Sequence, residues 1–170
     1  MCVKPLARWS VYAGTPRELH DRSLTAEGAK LPLVVSPEGR GARVLPRLHF
    51  PDVNGSLTVL SQESDPFHVA RTFCIVADSG MVRGEHAHRS CSQFIVCLTG
   101  HFSVEVSDGT ATRTFELTQC SEGLLVPPMI WAKETARRDE SVLLVLCDEP
   151  FDEAEYLRDF DAYVQLCTQG

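Results

Sequence analysis

From Val44 onward the chain is a succession of short apolar runs separated by turn residues. That pattern reads as β-strands rather than helices. HFSVEVSDG alternates cleanly, with Phe102, Val104 and Val106 on one face and Ser103, Glu105 and Ser107 on the other. Asp108–Gly109 then signals a tight hairpin, and TRTFEL returns. SLTVL follows a turn at Asp52–Gly55, and ARTFCIVAD ends in Ser79–Gly80. QFIVCL has no alternation and reads as a strand buried on both faces, while GLLVPP and SVLLVLC supply two more strands. Only EAEYLRDFDAYVQL has helical spacing, through Leu157, Phe160, Tyr163 or Val164, and Cys167. Parallel strands would need crossover helices, which the body lacks, so an antiparallel closed or sandwiched sheet with one terminal helix is expected.

Residues 1 to 43 have a different texture. TPRELHDRSLTAEGAK is polar, and LPLVVSPEGRGAR is broken by Pro and Gly. They are expected to form an N-terminal extension, with Pro16 and Glu18 opening a short helix, ahead of a domain spanning residues 44–170.

The chain has 170 residues, enough for one compact domain with a sizeable core. Its net charge of −7 disfavours nucleic acid as a partner, although a few arginines in one pocket can still hold an anionic ligand. No apolar run approaches a membrane span, and MCVKPLARWSVYAG lacks a signal core, so a cytoplasmic location is expected. The seven cysteines follow no CxxC spacing. Cys74, Cys97 and Cys147 lie in apolar strand-like runs and are expected to be reduced, buried packing residues.

The chemistry centres on RGEHAHRSCSQFIVCLTG. Residues two apart on a strand point to the same side, so His86 and His88 project together. Such a pair can bind a metal, relay protons, or sit at a strand end without a role. A metal would need further ligands, for which Cys91, His49 and His101 are the available residues. His20, His49, His68 and His101 otherwise stand alone.

The HxH, followed by Gln93 and, after six further residues, by Gly100, and the Pro-bearing GLLVPPMIWAKE resemble the two motifs of the cupins, a family of small double-sheet jelly rolls. Gln93 stands where the cupin metal-binding Glu would be, and Ala132 where the last His would be. The likeness is closer to one metal-free branch. RGEHAH…QFIVCLTG resembles the RGxHAH…QxxVCLxG signature of the sugar 3,4-ketoisomerases. DVNGSLTVL, PFHVARTFCI, SDGT, GLLVPPMIW and EAEYLRDFDAY extend it over about Val44 to Val164.

That resemblance implies a cupin fold and an enzyme acting on dTDP-4-keto-6-deoxyglucose in deoxysugar biosynthesis, without a metal or other cofactor. It implies that His86 and His88 act as base and shuttle, in either order, because imidazole gains and loses protons near neutral pH. It assigns Arg71 and Arg83 to the nucleotide diphosphate, although Arg83 has the strand parity opposite to His86 and reaches the cavity only if Gly84 bends the chain. Gln93 would hold a sugar hydroxyl or a histidine, Trp131 would stack on sugar or base, and Phe73 and Lys133 would complete the substrate site. It implies a homodimer, with the N-terminal extension enlarging the interface.

The chain departs from the family at Phe73 and Cys74, where a tandem Tyr is usual, and at Trp131–Ala132–Lys133, where WHE is usual. These departures leave two alternatives, a related nucleotide-sugar epimerase and a cupin that binds nucleotide sugars without turnover; a third, a metal cupin such as a dioxygenase, is disfavoured by Gln93 and Ala132.

Overall fold

The computed structural model describes residues 41–60 and 66–169. Residues 1–40, which hold most of the expected extension and its short helix, lie outside the described residues. The strands run in chain order β1 (Arg43–Pro46), β2 (His49–Asp52), β3 (Gly55–Thr58), β4 (Arg71–Ala77), β5 (Val82–His88) and β6 (Gln93–Thr99). They continue with β7 (Phe102–Ser107), β8 (Thr112–Leu117), β9 (Glu122–Val126), β10 (Trp131–Ala136), β11 (Ser141–Cys147) and β12 (Tyr156–Leu157), before helix α1 (Phe160–Thr168). One five-stranded sheet has the order β1-β9-β6-β11-β4 and the other β12-β5-β10-β7-β8, while β2 and β3 form a separate hairpin. Among the described residues every strand pairing is antiparallel, and no helix crosses between neighbouring strands.

The period of two decides what lies between the sheets. Ile95 and Cys97 of β6, Leu143, Val145 and Cys147 of β11, Leu124 and Val126 of β9, and Phe102, Val104 and Val106 of β7 form one core. Phe94, Val96, Leu125 and Leu146 face the other way and form a second cluster with Phe67, Val69 and Leu144. QFIVCL therefore lacks alternation because both of its faces are covered.

Two expectations need correction, and one strand had no assignment from the sequence. First, EAEYLRDFDAYVQL is not one helix. Residues Glu153–Glu155 form a single 3-10 turn capped by Asp152, Tyr156 and Leu157 are extended against His88 and Ala87 of β5, and α1 starts only after the Asp159 cap. Two capping aspartates break the helical run, and pairing to a distant strand uses the residues between them. Second, Cys74 is exposed on the outward face of β4, whereas Cys97 and Cys147 are buried as expected. The unassigned element, Trp131–Ala136, is a strand although WAKETA carries few β-formers, because Ala132 and Ala136 are the small inward residues of the second sheet.

α1 docks through Tyr163, its one buried residue. The Tyr163 hydroxyl donates to the Ser107 carbonyl at 2.6 Å and lies 3.0 Å from the Met129 carbonyl.

Between Ala132 and Lys133 the β10–β5 register shifts, because Gly84 and Glu85 both have positive φ (76° and 56°). The bulge reverses the side-chain parity of β5, so Arg83 faces Glu134 just as His86 faces Ala132. A Cβ on residue 84 would run into the Glu134 carboxyl group and lie 2.8 Å from the Ala132 carbonyl oxygen, so only glycine suits this corner.

Glu134 is 4% exposed, and its Oε2 has no hydrogen-bond partner among the described residues. Burial pushes its carboxyl up to about 7. Below pH 4.5 the acid is protonated whether the chain is folded or not, so it has no effect there. Above that, only the unfolded chain ionises freely, and stability falls until the folded group also ionises near pH 7. Relative to Glu134→Gln, the native protein is expected to lose about 3 kcal/mol of stability between pH 4.5 and 8, read by urea unfolding at each pH. A difference that does not change with pH would show that the Glu134 carboxyl has a partner.

Candidate active site

Polar side chains from several strands meet at one end of the sandwich. Arg71, Cys147 and Gln93 are register neighbours in a row across the first sheet. His88 pairs with Tyr156, and His86 with Ala132, across the second. The His86 and His88 rings are edge to face with centroids 4.9 Å apart. The Tyr156 ring packs on both, at 4.9 Å from His86 and 4.4 Å from His88.

Hydrogen bonds order this cluster. Gln93 Nε2 lies 3.2 Å from His88 Nε2. Arg71 donates to the Tyr156 hydroxyl through Nη1 and to the Cys147 sulfur through Nη2, each at 3.3 Å. Its guanidinium also lies 5.4 Å from the Phe73 and Phe151 ring centroids. The segment carrying Tyr156 is anchored by Glu155, whose Oε2 accepts from the Ser90 amide and hydroxyl at 2.7 Å each. Those bonds hold the Glu155 carboxyl below the usual carboxylate range.

Both imidazoles are kept neutral. Burial lowers His88 to about 4, helped by the neighbouring His86 and then by Arg71. Burial also lowers His86, against a hydrogen bond to the Gly84 carbonyl that favours its protonated form. Nδ1 of each ring is buried without a hydrogen-bond partner among the described residues. The site thus presents two neutral imidazoles, each with an uncommitted ring nitrogen, beside a phenol held by a guanidinium. It can take up, hold and return protons. Among the described residues no group of three His, Cys, Asp and Glu is placed to hold a metal ion. His49 is bonded to Thr58 in the β2–β3 hairpin, and His101 to Glu116 on β8.

The expected site residues divide into two groups. His86, His88, Gln93, Arg71 and Phe73 are brought together. Arg83 is turned by the bulge onto the side of His86 but remains exposed. Trp131 and Lys133 have the opposite parity to Ala132. Trp131 packs on Phe160 and Tyr163 of α1, and Lys133 pairs with Glu105 at 3.2 Å, both lining an outer cleft of about 240 Å³. Tyr156, Cys147 and Arg158, whose guanidinium lies 4.4 Å from the Tyr156 ring centroid, were not foreseen as site residues. A signal existed for Tyr156 and Arg158, because the EAEYLRD segment is part of the family likeness. A helical assignment hid its pairing with β5.

The WxcM-like, C-terminal (FdtA) family model matches residues 42–168. The chain belongs to this family. A curated relative from Aneurinibacillus thermoaerophilus, named TDP-4-oxo-6-deoxy-alpha-D-glucose-3,4-oxoisomerase, is 32% identical over 114 residues, which cover 66% of this chain and 82% of the relative. The sugar 3,4-ketoisomerase QdtA from Thermoanaerobacterium thermosaccharolyticum, solved in complex with TDP, superposes with a TM-score of 0.73 at 27% identity. That match covers 76% of this chain and 96% of QdtA. A 3,4-ketoisomerase from Helicobacter canadensis gives 0.71 at 26% identity, over 75% and 97% of the two chains. The 4-keto-6-deoxy sugar epimerase NovW from Streptomyces spheroides, at 18% identity and a TM-score of 0.61, shares the fold. The protein is thus a cupin of the ketoisomerase family, as its motifs imply.

The depressed His88 value has a measurable sign. As pH falls below about 6.5, the unfolded chain takes up a proton that folded His88 refuses until about pH 4, so stability falls over that window. The His88 ring resonances are expected to titrate near pH 4 in an NMR pH series, well below those of an exposed histidine. A His88 midpoint above 6 would show that the ring is charged in the resting site.

Proposed function

We propose that this protein is a metal-independent isomerase that converts dTDP-4-keto-6-deoxyglucose to a dTDP-3-keto-6-deoxyhexose. The observation that carries the reading is the pair of neutral imidazoles in edge-to-face contact beside the Tyr156 phenol.

A 4-keto group acidifies the hydrogen on C3. His86 is suited to remove it: burial favours its neutral form, and its Nδ1 is buried without a partner among the described residues, available as the accepting lone pair. The electrons of the C3–H bond form a C3–C4 double bond, and O4 gains a proton, giving an enediol. His88 accepts from Gln93 at Nε2 and therefore carries its proton on Nδ1, where it can donate. O3 then loses its proton, the double bond collapses, and C4 is protonated. The ketone has moved from C4 to C3 with no net change in electrons. Two imidazoles exchanging protons in a water-poor site suffice for these steps. Phe73 occupies the inward position of β4 and has no proton to give, so Tyr156 supplies the phenol.

Arg71 is already committed to Tyr156 and Cys147. The nucleotide diphosphate therefore falls to the exposed Arg83, whose guanidinium fork matches phosphate oxygens, with Arg158 joining it in exchange for its exposed partner Glu153. Ala132 opposite His86 leaves space where a larger residue would crowd the sugar.

The protein acts as a homodimer. Exposed apolar side chains support this, notably Val76 on the outer face of edge strand β4 (65% exposed) and Leu98 on β6 (45%), which a partner would cover. A reducing compartment such as the cytoplasm suits the free thiols of Cys91 and Cys147. Among the described residues no helix is long and apolar enough to cross a membrane.

A second reading, binding without turnover, is favoured by the missing phenol at Phe73 and the missing imidazole at Ala132. Proton NMR of dTDP-4-keto-6-deoxyglucose with the protein in D₂O separates the two. Isomerisation places deuterium at C3 or C4 and produces a 3-keto signal. Turnover is expected to fall by roughly 10³-fold in His86→Asn and about 10²-fold in Tyr156→Phe. An unchanged substrate spectrum from a protein that still binds dTDP would select the silent binder. Light scattering is expected to give twice the 18.8 kDa chain mass, and a monomer would rule out the dimer.

A further inference from the structure

Cys147 is fully buried at the inner end of β11. It has the surroundings of an acceptor rather than of a packing residue. Strand register sets it between Arg71 and Gln93. Its sulfur lies 3.3 Å from Arg71 Nη2 and 4.0 Å from Gln93 Nε2, while the Cys91 thiol donates to the Ser92 carbonyl at 3.4 Å. A guanidinium and an amide nitrogen can only donate, so the sulfur is what accepts. The neighbouring Cys91 thiol and then Arg71 hold Cys147 well below an ordinary thiol, at about 6, against the opposing effect of burial.

A primary amide presents two N–H donors on one side and a carbonyl acceptor on the other. Gln93 Nε2 is close both to the Cys147 sulfur and to His88 Nε2, at 3.2 Å from the latter. Turned over, the amide would aim its carbonyl oxygen at a sulfur already crowded by donors and rich in negative charge. The sulfur thus selects the amide orientation. The amide nitrogen in turn requires a lone pair on His88 Nε2, which places the imidazole proton on Nδ1. A small apolar residue at position 147 would fill similar space without directing the amide.

We propose that Cys147 is a positioning residue of the isomerase site, whose sulfur orients the Gln93 amide and so holds His88 as its Nδ1–H tautomer. This rests on the isomerase reading only for its consequence in turnover; the tautomer itself is a property of the free protein. It gives a purpose to an ionisable group that the proton transfers do not use. It also explains how an uncharged Gln can set the protonation geometry of the adjacent His.

The test is long-range proton–nitrogen correlation NMR of the full chain with ¹⁵N-labelled histidine and no substrate. In the unmodified protein His88 Nε2 is expected to have the shift of an unprotonated nitrogen, and Nδ1 that of a protonated one. In Cys147→Ala the amide is free to turn, and the two shifts are expected to move toward each other as both tautomers populate. Cys147→Ser, whose hydroxyl oxygen still accepts, should keep the original pattern. Gln93→Glu offers only acceptors and should drive the proton onto Nε2. If Cys147→Ala does not fold, the near-isosteric apolar Cys147→Val gives the same readout. With dTDP-4-keto-6-deoxyglucose, Cys147→Ala is expected to lower kcat by roughly tenfold with KM within about twofold, and Cys147→Ser to recover most of it.

A His88 tautomer unchanged in both Cys147→Ala and Cys147→Val overturns the proposal, whatever the activity. A tautomer that moves supports it even if no isomerisation is detected, in which case the functional reading is what has failed.

Discussion

Withdrawal of polar side chains from water at one end of the sandwich is the constraint on which the site depends. Arg71, Gln93, Cys147, His88 and Tyr156 come from both sheets, and each finds its hydrogen-bond partner among the others, while the His86 ring packs on His88 and Tyr156. The guanidinium is satisfied by a phenol and a sulfur, and the amide by a sulfur and an imidazole. Removing any one of them strands another in a low-dielectric interior. That mutual dependence fixes rotamers, orients an amide and keeps two imidazoles neutral within contact distance.

The same burial serves the chemistry. The histidine that takes a proton from carbon and the one that donates to oxygen must both start uncharged: His86 is kept so by burial, and His88 by burial, by the second histidine and by a guanidinium. Charge is tolerated at the edges: Arg83 is exposed, and Arg158 lies over the Tyr156 ring while its guanidinium pairs with Glu153. An enclosed neutral centre with cations at its margin suits a ligand with an uncharged sugar at one end and a diphosphate beyond it.

Two backbone features give the site its shape. The bulge at Gly84–Glu85 turns Arg83 onto the side of His86. The Glu155 anchor at Ser90 holds the C-terminal segment against β5, which brings Tyr156 onto both imidazoles. A site built around Phe73 in place of a phenol-bearing residue thus still contains a phenol, reached from the other end of the chain.

The strands, the antiparallel class and the shared side of His86 and His88 were legible in the sequence because each depends on a period of two along a few residues. The family likeness was legible for the same reason, as an ordered set of local motifs. WAKETA was not legible as a strand, because its inward residues are small and its identity comes from the neighbours it joins. Nor were Tyr156 against β5, Cys147 between Arg71 and Gln93, or Trp131 and Lys133 on the outer face. These placements depend on strand pairing, on one bulge and on contacts between residues dozens of positions apart. The sequence alone determined which chemical groups are present and on which local face each stands. The tertiary structure decided which of them meet, because register between distant strands is set by burial of the whole core and not by any one segment.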